Sequence, residues 1–133
     1  MKILIIDDNK DVTDAIADFF DSMEINYKVI HEGIKALDEI LNQSENYNLI
    51  LLDLAMSAFS GHDILDRLKE KDNLLKSKNI VIITASTLTD GDIQKYSRSG
   101  IKDVLRKPIS LDDLTDLIEK YTNGDSEINT NTL

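Results

Sequence analysis

Four strand-like runs in this chain, three of them wholly apolar, each stop at a polar residue: carboxylates twice, a hydroxyl and an ammonium. ILII meets Asp7 and Asp8, LILL meets Asp53, IVII meets Thr84, and DVLR meets Lys107. If these runs are parallel strands of an open sheet, ligands bind beyond their carboxyl ends. One edge would then gather three carboxylates, a hydroxyl and an ammonium. Carboxylates offer hard oxygen ligands to a divalent cation, while the hydroxyl and ammonium offer donors to phosphoryl oxygens.

Singly, each residue has a plainer reading. Asp7 and Asp8 could cap the following helix, Asp53 could be a turn residue, Thr84 a β-branched strand end, and Lys107 a solvated cation. Two carboxylates about 4 Å apart repel by roughly 4 kcal/mol at an effective dielectric of 20. Nothing in the sequence demands that arrangement for stability. The set together therefore favours a site in which a cation offsets the charge, with one of Asp7 and Asp8 also capping.

The elements that must position these groups alternate along the chain. Strands are predicted over Lys2–Ile6, Tyr27–Ile30, Asn48–Leu52, Asn79–Ile83 and Ile101–Leu105, the first, third and fourth of them apolar after their first residue. Between them lie stripes at helical spacing: Val12, Ala15, Ile16, Phe19, Phe20 and Met23; then Ile34, Leu37, Ile40 and Leu41 after Gly33; then Ile64, Leu65 and Leu68 after Gly61. A weaker fourth helix spans Thr89–Arg98, with Thr89 and Asp92 spaced as a capping box and Gly91 lowering propensity. A fifth starts at a Ser110–Asp113 cap and buries Leu111, Leu114, Ile118 and Tyr121. Strict alternation of strand and helix implies a doubly wound α/β sheet with helices on both faces.

A length of 133 residues implies one domain. Its boundaries are expected at 1–121, with 122–133 a polar tail, disordered or the start of a linker. The net charge of −10 argues against direct nucleic-acid binding and against an anionic membrane surface. There is no cysteine, hence no disulfide framework or thiolate chemistry. No stretch approaches a membrane span or a signal-peptide core, so a cytoplasmic protein is expected.

In order and position, these residues resemble the receiver domains of two-component response regulators. The match spans roughly 1–121 and rests on Asp7–Asp8, Asp53, Gly61, Thr84–Ala85 and Lys107–Pro108. The resemblance implies a flavodoxin-like, five-stranded parallel sheet in the order 2-1-3-4-5, with Asp7, Asp8 and Asp53 converging where strands 1 and 3 adjoin. It implies Mg2+ held directly by Asp8, Asp53 and the Ala55 backbone carbonyl, and by Asp7 through water. Asp53 would be the phosphoacceptor, and Thr84, the Ala85 backbone and Lys107 would bind the phosphoryl group. A cis Lys107–Pro108 bond is also implied.

On that resemblance the chain is a single-domain response regulator rather than an enzyme. A histidine kinase or a phosphotransfer protein would phosphorylate it, and a downstream protein would read the surface of the fourth helix, fifth strand and fifth helix. There is room for a homodimer. Four positions depart from the family pattern. Ser57 replaces a frequent proline, which predicts a more mobile loop. Val104 stands in the switch region where an aromatic is common, as a core valine. Ala55 and Ser86 are small beside the site, which leaves an attacking water unobstructed but unpositioned. The rivals are a pseudo-receiver that acts purely by binding and a haloacid-dehalogenase-like phosphotransferase, whose second Asp is here Ala55. A flavodoxin-like cofactor binder is opposed by the acidic DDNKD loop.

Overall fold

The computed structural model describes residues 2–71, 74–85 and 87–122. Five parallel strands, β1 (Lys2–Ile6), β2 (Asn26–Ile30), β3 (Leu49–Asp53), β4 (Ile80–Thr84) and β5 (Asp103–Arg106), form one sheet in the order β2-β1-β3-β4-β5. The helices are α1 (Lys10–Ser22), α2 (Gly33–Gln43), α3 (Gly61–Glu70), α4 (Leu74–Ser77), α5 (Asp90–Ser99) and α6 (Leu111–Thr122). The expected fold class and strand order are those observed. The single turn of α4 has no counterpart in the sequence reading, because four residues are too few to show a period. The expected fourth and fifth helices are therefore α5 and α6.

Strand alternation divides the core between the two faces. Leu4, Ile6, Ile50, Leu52, Ile80 and Ile82 pack with Ile40 of α2 and with Ile64 and Leu68 of α3. Their neighbours Ile3, Ile5, Leu49, Leu51, Val81 and Ile83 pack with Ile16 and Phe20 of α1 and Leu114, Leu117 and Ile118 of α6. Burying each such side chain contributes roughly 1.5–3 kcal/mol, so β1, β3 and β4 form a stiff floor. The sheet's outer strands, β2 and β5, are only half-buried.

Some expected core positions lie outside it. Ile34 is 62% exposed and Leu111 60% exposed. Both are the first or second residue of a helix, ahead of the turn that meets the sheet. Met23 caps α1 and is exposed, and Ala15 faces solvent. The expected tail over 122–133 lies outside the described residues, apart from the backbone of Thr122. Ser86 lies outside them as well.

Candidate functional site

Parallel register carries the strand ends to one edge. Ile6 pairs with Leu52, Asp53 with Ile83, and Thr84 with Arg106. Asp7 follows β1 and its amide donates to the Ile30 carbonyl at 3.2 Å, so the sheet fixes its backbone. The Lys107 amide donates to the Thr84 carbonyl at 2.8 Å, which ties the end of β5 to β4. The Lys107–Pro108 bond is cis, as the resemblance implied.

One carboxylate oxygen from each of Asp7, Asp8 and Asp53 lies within 4.8 Å of the others. Lys107 reaches among them, its Nζ 2.7 Å from Asp7 Oδ2 and 3.6 Å from Asp53 Oδ1. Asp7 and Asp53 are buried, whereas Asp8 stands exposed at the rim. Asp7 Oδ2 is buried and accepts no well-aligned hydrogen bond, leaving the ammonium as what meets it. Three carboxylates and one ammonium sum to two negative charges, the amount a divalent ion cancels. Burial, and next the charge of Asp7, push the Asp53 carboxyl above its ordinary range; Lys107 and the Ala55 amide pull it back only partly. The donors are hard oxygens in an electron-rich, half-enclosed corner, and they fit Mg2+.

Capping of α1 falls to neither aspartate. Asn9 caps it, its Oδ1 accepting from the Val12 amide at 3.2 Å. Asp7 instead holds the cap from behind, Oδ1 accepting from the Asn9 amide at 2.9 Å. Both carboxylates thus keep an oxygen toward the site.

Thr84 is fully buried at the end of β4, beside the strand that carries Asp53, and Ala85 follows it exposed. The Ala55 amide donates to Asp53 Oδ1 at 3.4 Å. Val104 is half-buried rather than a full core residue; it borders a cavity of about 170 Å³ lined by Ile93, Ser97, Ile101, Lys102 and Asp103. β5 lies at the sheet's edge, and its neighbour α5 covers it incompletely.

Sequence reasoning missed how the loop after Asp53 is built. Ser57 does not loosen it: its amide and hydroxyl both donate to Asp8 Oδ2, at 3.0 and 3.2 Å. Ser60 caps α3 in a capping box with Asp63, a spacing readable as Ser-x-x-Asp. Gly61 has a steric reason to be glycine, because a Cβ there would lie 2.3 Å from the Asp53 carbonyl oxygen. At Gly33 a Cβ would lie 2.0 Å from the Phe59 carbonyl oxygen. The loop is therefore clamped against α2.

Comparison with known proteins follows the same lines. A family model described as the response regulator receiver domain matches residues 3–119. The chain is 29% identical over 122 residues to a hybrid signal transduction histidine kinase of Dictyostelium discoideum, covering 91% of this chain and 4% of the kinase. It is 27% identical over 127 residues to the response regulator protein VraR of Staphylococcus epidermidis, spanning 95% of this chain and 58% of that protein. Among solved structures, the receiver domain of a Francisella response regulator superposes with a TM-score of 0.76 at 28% identity, covering 90% of this chain and 94% of that one. A co-crystal of a Saccharomyces cerevisiae histidine phosphotransfer protein with the receiver domain of its downstream response regulator gives 0.76 at 28% identity, over 91% and 88%. Among the described residues, no helix is long and apolar enough to cross a membrane.

Proposed function

Because this chain belongs to the response regulator receiver family, a family of signalling modules rather than enzymes, we propose that it accepts a phosphoryl group on Asp53 in a Mg2+-dependent reaction. The observation that carries this is the cluster of Asp7, Asp8 and Asp53 with the Lys107 ammonium lodged within it. Asp8, Asp53 and the Ala55 carbonyl would hold the ion directly and Asp7 through water, and the ion would supply charge neutralisation for attack by one anion on another.

The donor is the phosphohistidine of a histidine kinase or phosphotransfer protein; the yeast complex supports this partner class. A carboxylate oxygen of Asp53 forms the new bond to phosphorus as the nitrogen–phosphorus bond breaks in line. The bonding pair leaves with the imidazole, which takes a proton from solvent. Lys107 then exchanges its carboxylate partners for a phosphoryl oxygen. The Thr84 hydroxyl and the Ala85 amide serve the others. That draws the segment after β4 inward and re-poses the surface of α5, β5 and α6 for a downstream protein.

Incubation with acetyl phosphate and MgCl2, read by intact mass, tests the reading. A single phosphate adduct should appear in wild type and be missing from Asp53→Asn and from EDTA-treated samples. An adduct that survives Asp53→Asn, or none in wild type, removes the assignment.

A further inference from the structure

We infer that Ser57 is a positioning residue for the metal: its side chain holds Asp8 in the orientation that receives Mg2+. The inference rests on the metal-dependent reading above. Two donors from one residue converge on a single oxygen, the Ser57 amide at 3.0 Å and its hydroxyl at 3.2 Å from Asp8 Oδ2. Bonding both to one oxygen fixes the rotamer of an otherwise exposed carboxylate and leaves Oδ1 for the cation. Groups that hydrogen-bond a ligating carboxylate orient it and set affinity. A proline at this position would supply neither donor.

The chain around Ser57 is shaped to keep those donors in place. Ala58 adopts φ 63°, a left-handed conformation that a residue with a Cβ enters at a cost of roughly 1–2 kcal/mol. Strain of that kind persists only where the surroundings over-determine it. Here they do. Phe59 packs against the core, its carbonyl sits in the space left by Gly33, and Ser60 is locked into the α3 cap. The turn at Ala58 thus lies between a fixed anchor and the site. Both Ser57 and Asp8 are exposed, so their bonds add little to fold stability and act on orientation instead.

Calorimetric titration of MgCl2 into the full chain tests this, with thermal unfolding in EDTA as the control for folding. Ser57→Ala should weaken Mg2+ binding roughly ten-fold with an unchanged metal-free melting temperature. Ser57→Pro, lacking the amide donor too, should weaken it further, and Ser57→Thr should restore wild-type affinity. Unchanged affinity in Ser57→Ala overturns the inference. So does tighter binding, which would make the serine a competitor of the ion. A wild type that takes up no Mg2+ is a separate result: it fells the metal reading itself, and this inference with it.

Discussion

The two helices that follow β3 and β4 begin with the same device and are held by different means. In α3, Ser60 Oγ accepts from the Asp63 amide at 3.2 Å while Asp63 Oδ2 accepts from the Ser60 amide at 2.9 Å. In α5, Thr89 and Asp92 make the same reciprocal pair, both bonds at 3.1 Å. Each helix is ten residues long. Yet α3 buries Gly61, Ile64, Leu65 and Leu68, whereas α5 buries none of its residues. A cap decides where a helix starts; buried apolar surface decides how firmly it stays. The firmly seated helix lies over the proposed phosphoacceptor, and the loosely seated one follows Thr84, where the proposed change of state would be read out. Ile93 and Tyr96 are half-buried, and the cavity beside Val104 leaves α5 room to settle differently.

The sharpest test of that contrast is the same substitution made in both helices. At Gly61 a Cβ would stand 2.3 Å from the Asp53 carbonyl oxygen and 2.7 Å from Leu54 Cα, both backbone atoms that move only with β3. Gly61→Ala should lower stability by about 1–3 kcal/mol in urea unfolding. At Gly91 the nearest atom is Thr89 Oγ1 at 3.7 Å, ordinary contact. Gly91→Ala should therefore raise the exchange protection of α5 amides by up to about 1 kcal/mol. If the two variants shift stability in the same direction, the difference in anchoring is wrong.

A second test asks whether the site under α3 is held at an electrostatic cost. Burial and Asp7 raise the Asp53 carboxyl above its ordinary range. The unfolded chain therefore loses this proton first, near pH ~3.9. As pH rises from there through the higher folded value, stability falls by this group's share and stays lower above it. Asp53→Asn removes the titration. Its gain over wild type should be smallest in acid and grow as pH rises to neutral, since burial and Asp7 outweigh Lys107. MgCl2 should shrink that gain by stabilising wild type alone. Urea midpoints across the pH range measure it. A gain that instead falls as pH rises would mean Lys107 outweighs burial and Asp7 together.

What the sequence shows of this contrast is uneven, for physical reasons. Strands buried on both faces leave unbroken apolar runs, and a polar residue closing each run is visible without coordinates. Asp7, Asp8, Asp53 and Thr84 are found that way, whereas Lys107 closes the half-buried β5 and is marked by the proline after it. The strands proper begin one or two residues later than expected at β3, β4 and β5, because Asn48, Asn79 and Ile101 lead into the sheet outside the ladder. Ser57 was misjudged because comparison with proline counts only lost rigidity. The gain of two donors depends on where Asp8 lies, 49 residues away in sequence. Apolar spacing likewise put Ile34 and Leu111 on buried faces, since a period locates a stripe and not the turn at which the helix meets the sheet. The weakness of α5 is half legible: Gly91 and the sparse apolar stripe show it, but the absence of any fully buried residue is not visible there.

The smallest expected effect probes the one polar tie between the two helices among the described residues. The Tyr96 hydroxyl lies 3.3 Å from His62 Nδ1, joining α5 to the residue after Gly61. Burial, then Asp92 and Asp66, push the Tyr96 phenol upward, so it stays protonated and can donate at neutral pH. Tyr96→Phe keeps the ring and deletes that bond, a loss of about 0.5 kcal/mol at a partly exposed site. The amides of α5 should exchange about two-fold faster, and the urea stability should fall by no more than that loss. If α5 opens on its own, its amides should show a lower opening free energy than those of α3. Equal opening free energies in both helices would show that they open as one body. The tie would then belong to the rigid floor, and the seat of the proposed switch would have to be sought in β5 and the loop that Arg106 holds through the Leu88 carbonyl at 3.1 Å.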